Sequence, residues 1–121
     1  MADSDDVAGS NKAIVQRVFE VVLPDPEASA EFDEVIAADF VDHDPAIPDR
    51  AHGVDSLRAT HESLHRAFPG NVRFTIDEII AERDLVAVRW SAGPTQASVW
   101  FRLRDGKVTD RWAIIRQATP Q

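Results

Sequence analysis

The sequence predicts an α+β domain, and three features point there. Apolar residues recur at helical spacing through the first part of the chain, the period switches to strand alternation after Pro69-Gly70, and Asp105-Gly106 supplies a tight hairpin signal near the end. Helices followed by a run of long strands is the element order of an α+β fold. The 121 residues suit one domain with one core, without repeats or an internal linker.

Taken in order, Ser10 or Asn11 caps a first helix whose apolar stripe is Ile14, Val15, Val18, Phe19 and Val22. Pro24-Asp25-Pro26 ends it, because proline cannot continue a helix and restricts the residue before it. A second helix is expected over residues 27–37, burying Phe32, Val35 and Ile36, with alanine and glutamate favouring the state. Phe40-Val41-Asp42-His43-Asp44-Pro45 reads as a short strand, and residues 46–52 as a loop. Gly53-Val54-Asp55 opens a third helix with Leu57, His61, Leu64 and Phe68 on one face, and Phe68-Pro69-Gly70-Asn71 stops it. Strands follow over residues 72–82, 85–91, 97–104 and 108–117, turning at Arg83-Asp84, Gly93-Pro94 and Asp105-Gly106. One sheet face packs on the helices; the other carries apolar residues that a second subunit would cover, so a homodimer is expected.

Composition excludes several classes. Hydrophobic residues make up 44%, and the net charge is −8 with a pI near 4.8. That balance opposes binding to nucleic-acid phosphates and to anionic membranes. With no cysteine, thiolate ligands, disulfides and cysteine nucleophiles are ruled out. Residues 1–10 are small, polar and acidic, unlike a signal peptide, and are expected to be disordered, leaving a domain over 11–118. No apolar run approaches membrane-spanning length, and the expectation is a soluble cytoplasmic protein.

Several motifs together resemble a known family. Asp39-Phe40-Val41-Asp42-His43-Asp44-Pro45, the Phe68-Pro69 helix end, Ile80-Ala81-Glu82-Arg83-Asp84-Leu85-Val86-Ala87-Val88-Arg89, and Asp105-Gly106-Lys107-Val108 followed by Trp112 are similar to SnoaL-like polyketide cyclases of the nuclear transport factor 2-like superfamily. The resemblance covers residues 11–117. It implies a cone-shaped fold, three N-terminal helices packed on a curved, mostly antiparallel sheet. It also implies a cofactor-free cyclase or isomerase acting on a polyketide-like carbonyl substrate. The scaffold hosts inert members too, so the alternative is a non-catalytic small-molecule-binding or scaffold protein.

Two departures bear on mechanism. The family's cyclases carry an acid/base aspartate four residues after the tryptophan of the last strand, where this chain has Arg116. Their long segment between the second and third meander strands is reduced to Ala92-Gly93-Pro94-Thr95-Gln96. In the ketosteroid-isomerase branch an Asp-Pro supplies the base, and Asp44-Pro45 is similar to it. That branch's oxyanion hole of tyrosine and protonated acid has no counterpart, since the chain lacks tyrosine and Val99 stands at the acid's position.

Aldol cyclisation needs a base for the α-proton and a group that stabilises the enolate. His43 or Asp44 is the expected base, and Arg116 the electrostatic partner. Taken alone, Asp42-His43-Asp44 also reads as a turn whose aspartates bond neighbouring amides. Strand alternation allows at most one of the two aspartates to share the pocket of His43. Trp112, Ile114 and Arg116 share strand parity. Trp90, Trp100 and Trp112, with His61 and Phe19, are expected to contact substrate, the alternative being core or interface filler. His61-Glu62-Ser63-Leu64-His65 matches the H-E-x-x-H zinc signature. No third ligand or second motif follows, so no metal is expected; His61 belongs to the buried face and His65 to the solvent side.

Overall fold

A computed structural model describes residues 4–25, 27, 29–44, 53–67 and 73–117. Helix α1 (Ser4–Arg17) runs into a π-helical turn (Val18–Val22). Helix α2 (Ser29–Val35), strand β1 (Ile36–Asp42) and helix α3 (Val54–Ala67) follow. Strands β2 (Thr75–Glu82), β3 (Leu85–Ala92), β4 (Thr95–Arg104) and β5 (Lys107–Gln117) complete the chain. The predicted loop 46–52, the turn 68–71 and residue 72 lie outside the described residues.

The sheet order is β1-β5-β4-β3-β2. Strand β1 pairs parallel with β5, and every other pairing is antiparallel, which gives the mostly antiparallel sheet expected. Two consecutive positive φ values, Asp105 at 52° and Gly106 at 79°, form the tight β4–β5 hairpin. The helices pack on one face of this open sheet. Val15, Val18, Phe19 and Val22 meet Val86, Val88, Val99 and Phe101 there, with Phe32, Phe40 and Leu57 closing the core. Burying those side chains is what holds helices and sheet together.

Several boundaries differ from the expected ones, and those at the first helix and at the second helix and its strand have tertiary reasons. The first helix begins at Ser4, so residues 4–10 are helical where frayed chain was expected. Ala8 and Asn11 are buried, and the Asn11 amide donates to the Arg83 carbonyl at 3.3 Å, which ties this turn to the β2–β3 hairpin. Asn11 is thus a mid-helix anchor rather than a cap. The second helix stops at Val35, and Ile36 starts a strand that ends at Asp42. Pairing of Ile36 with Val108 and burial of Phe40 override the helix propensity of the alanines there.

Strand β1 meets β5 with a wide irregularity. Ile36 pairs with Val108 and Val41 with Asp110, so residues 37–40 stand against Thr109 alone. The strand arcs away from its neighbour at this point, and a groove opens beside the arc.

Candidate functional site

The end of β1 sends consecutive side chains to opposite faces of the sheet, as strand geometry requires. Asp42 turns to the core side and is 1% exposed. Arg111 Nη1 donates to both of its carboxylate oxygens at 2.9 Å and to the Asp44 carbonyl at 3.1 Å. Asp42 also accepts the Asp44 amide at 3.0 Å, and Asp44 accepts the Ala113 amide at 2.8 Å. Asp42 therefore bonds the amide two residues on, as the turn alternative anticipated, whereas Asp44 bonds an amide of the neighbouring strand. The carboxylate of Asp44 is committed to the edge of β5.

His43 turns to the outer face. Its backbone amide continues the β1–β5 pairing by donating to the Arg111 carbonyl at 2.8 Å. Its ring lies flat on the Trp112 indole, centroids 4.5 Å apart and planes within 2°. Its Nε2 stands 3.0 Å from Asp110 Oδ2. An ionised carboxylate only accepts, so Nε2 carries the hydrogen of this contact, and whenever the ring is neutral Nδ1 holds the lone pair. Thr109 Oγ1 donates to the other Asp110 oxygen at 2.7 Å, and the Arg102 guanidinium lies 5.5 Å from the Trp112 ring centroid. Burial is the largest single influence on Asp110 and pushes its carboxyl upward. The bonds from His43 and Thr109 and the charges of His43 and Arg102 outweigh it and hold the carboxyl below its ordinary range.

Asp110 also lines the groove beside the β1 arc. That groove encloses about 440 Å³ between Ala37, Asp39, Val41, Arg104, Lys107 and Thr109, among others. Arg104 has no ion-pair partner among the described residues, and Lys107 Nζ donates to the Asp33 carbonyl at 3.0 Å.

The other predicted residues fall in separate places. Phe19 and Trp90 are neighbours in the interior, centroids 6.1 Å apart, with Phe74 and Phe101 packed on the same ring. Trp100 and Trp112 pair across β4 and β5 on the outer face, so the three tryptophans do not form one wall. The face shared by Trp112 and Ile114 is likewise the outer one: the residues opposite the buried Phe101 and Val99 are Arg111 and Ala113. Arg116 pairs by backbone with Gln96, and its side chain lies outside the described residues.

His61 is buried against Phe32, its Nε2 donating to the Asp25 carbonyl at 2.8 Å. His65 is half-buried rather than solvent-facing and donates to the Leu23 carbonyl at 2.8 Å. Burial, then the neighbouring His65 charge, pushes the His61 imidazole below its ordinary value, and the two carbonyls only partly oppose this. The H-E-x-x-H spacing thus serves α3 as a latch on the turn after the π-helical segment. Among the described residues no three His, Cys, Asp or Glu side chains gather as metal ligands do.

Sequence reasoning missed Arg111 and Asp110. Their burial and pairing depend on the β-bulge between Arg102 and Leu103, which shifts the β5 register and which no local motif encodes.

A model of the SnoaL-like polyketide cyclase family matches residues 13–120, and the chain belongs to that family. Three solved structures show the same fold. A candidate polyketide cyclase from Bacillus cereus is 19% identical with a TM-score of 0.77, the match covering 93% of this chain and 78% of that one. IdmH, a candidate polyketide cyclase from Streptomyces antibioticus, is 19% identical with a TM-score of 0.74, covering 87% and 91%. A candidate ketosteroid isomerase from Kribbella flavida is 20% identical with a TM-score of 0.72, covering 99% and 86%. No curated protein sequence matches the chain.

Proposed function

We propose that this protein is a small-molecule cyclase or isomerase that acts on a polyketide-like carbonyl compound by cofactor-free acid/base chemistry, with His43 as the base. The observation that carries the reading is the 3.0 Å contact of His43 Nε2 with Asp110, on a ring clamped flat against Trp112. A carboxylate that holds one ring nitrogen orients the other for proton abstraction, and the stacked indole fixes the ring plane. Nδ1 takes the proton α to a carbonyl, the enolate attacks a second carbonyl or is reprotonated elsewhere, and the imidazolium returns the proton. Arg102, over the same indole and ion-paired with Asp84 at 3.3 Å, is the cation on that side of the ring. The positive potential it offers an enolate is what the Asp84 charge leaves. Arg116, the expected electrostatic partner, is four residues beyond Trp112 along β5. Asp44 is left out of proton transfer because its carboxylate serves the Ala113 amide.

The test is solvent deuterium exchange at C1 of 2-tetralone, a planar bicyclic ketone, followed by NMR. The parental protein is expected to accelerate exchange, and His43→Gln to abolish the acceleration while staying folded. Equal rates for the two proteins would remove His43 from the chemistry.

One observation favours a second reading, a non-catalytic binding module. Phe19, Phe74, Trp90 and Phe101 fill the interior that a cone-type enzyme keeps for substrate. Saturable 2-tetralone binding with no exchange above buffer would select this reading.

The proposal includes a cytoplasmic homodimer. No helix among the described residues is long and apolar enough to cross a membrane. The outer face exposes Ile80, Leu85 and Trp100 on its β2–β4 half, an apolar patch that a second copy would cover. Sedimentation of a Trp100→Glu variant tests it, with a shift from dimer to monomer as the expected result.

A further inference from the structure

The groove beside the β1 arc is walled by opposite charges that do not meet. Asp39 and Val41 line it from β1, Arg104 and Lys107 from the β4–β5 hairpin, and Thr109 and Asp110 lie between. Asp39 and Val41 alternate with the buried Phe40 and Asp42, so both project from the outer face. Strand β5 separates β1 from β4, which sets Asp39 and Arg104 at least two strand spacings apart, about 9–10 Å, and the arc widens that span. Among the described residues neither side chain has a hydrogen bond or an ion pair.

The other polar groups of the groove are committed. Asp110 accepts from His43 and from the Thr109 hydroxyl, which also lies 3.2 Å from the Arg102 carbonyl. Lys107 Nζ reaches back to the Asp33 carbonyl at 3.0 Å. That leaves Arg104 as the available cation on one wall and Asp39 as the available anion on the other, with Asp105 at the turn. An anion alone in the groove meets Asp39, Asp105 and Asp110, and a cation alone meets Arg104 and Lys107. Only a ligand that carries both charges is matched at both walls.

We infer that this groove is a binding site for an aliphatic α-amino acid in its zwitterionic form. The Arg104 guanidinium receives the carboxylate, Asp39 and the charge of Asp110 receive the ammonium, and the aliphatic side chain rests on Ala37 and Val41. A guanidinium presents parallel N–H donors that match a carboxylate pairwise, and a carboxylate has acceptor capacity beyond the bonds Asp110 already makes. The enclosed space of about 440 Å³ has room for the whole ligand. Arg104 and Asp39 are both exposed, so solvent screens each contact and the affinity is modest. The site lies outside the interior between helices and sheet. It shares Asp110 with the catalytic pair proposed above, and it stands whether or not His43 is a base.

The probe is L-leucine, titrated into the full chain at neutral pH while the Thr109 amide and the Arg104 Nε–H are followed by NMR. Two analogues run in parallel: L-leucinamide, which lacks the carboxylate, and 4-methylpentanoate, which lacks the ammonium. The expected result is a saturable shift with leucine, each analogue binding at least about tenfold more weakly. Arg104→Gln and Asp39→Asn remove one charge each at exposed positions, and each is expected to weaken leucine binding by about tenfold or more. Arg89 pairs with Glu78 at 2.6 Å on the same outer face but outside the groove, so Arg89→Gln is expected to change affinity less than about twofold. Absence of saturable leucine binding, an analogue that binds as tightly, parental affinity in either groove variant, or loss of binding in Arg89→Gln would overturn the inference.

Discussion

Removing the Asp42 carboxylate is the sharpest test of how the end of β1 is held. Asp42 is 0% exposed by side chain and Arg111 10%, and two bonds of 2.9 Å join them. Asp42→Ala strands a buried guanidinium and removes the acceptor of the Asp44 amide. Leaving one partner of a buried pair uncompensated costs about 3–5 kcal/mol. For a domain of 121 residues each kcal/mol moves the melting midpoint by about 4 °C, which gives a fall of roughly 12–20 °C. Asp42→Leu combined with Arg111→Met removes both charges at similar volume and is expected to recover to within about 2 kcal/mol of the parent. Urea unfolding at neutral pH, followed by circular dichroism, measures all three proteins. A single-variant loss under about 1 kcal/mol, or a double variant no better than the single one, would refute the argument that pairing holds this strand end.

Three further outcomes follow from the same geometry. Asp110→Asn removes the anionic partner of His43 Nε2 and is expected to slow 2-tetralone exchange by roughly tenfold or more with little effect on binding; an unchanged rate would deny it a positioning role. His61 is held below its ordinary 6.5, so between that value and its folded one the unfolded chain binds more protons than the fold. Stability should therefore fall as pH drops below about 6.5 and level off below the folded value, and a His61→Gln variant should show a flatter urea-midpoint profile over that window. Gly106 has φ of 79°, and a Cβ there would meet only Ile14 Cδ1 at 3.9 Å, so Gly106→Ala should cost about 1 kcal/mol through the backbone alone.

The fold was legible because helix periodicity, the two breaker clusters and the hairpin signals are local, and local rules bound each element. The helix–strand boundary at Ile36 was not, because pairing with β5, some seventy residues away, outweighs alanine propensity. For the site, the cluster around His43 was visible as a density of titratable groups, and its stacking on Trp112 joined two residues singled out separately. What alternation alone could not supply was the face. Trp112 and Ile114 share parity, but the sheet register makes their side the outer one and turns Arg111 inward. The histidines of α3 show the opposite case, in which a specific-looking motif is used to bond two carbonyls.

A crystal structure with 2-naphthol, the planar analogue of the 2-tetralone enol, tests the catalytic assignment most directly. The account predicts the naphthol oxygen within hydrogen-bond reach of His43 Nδ1, about 2.6–3.2 Å, with the ring system beside Trp112. Naphthol bound only on the concave face by Trp90, with nothing near His43, would contradict it.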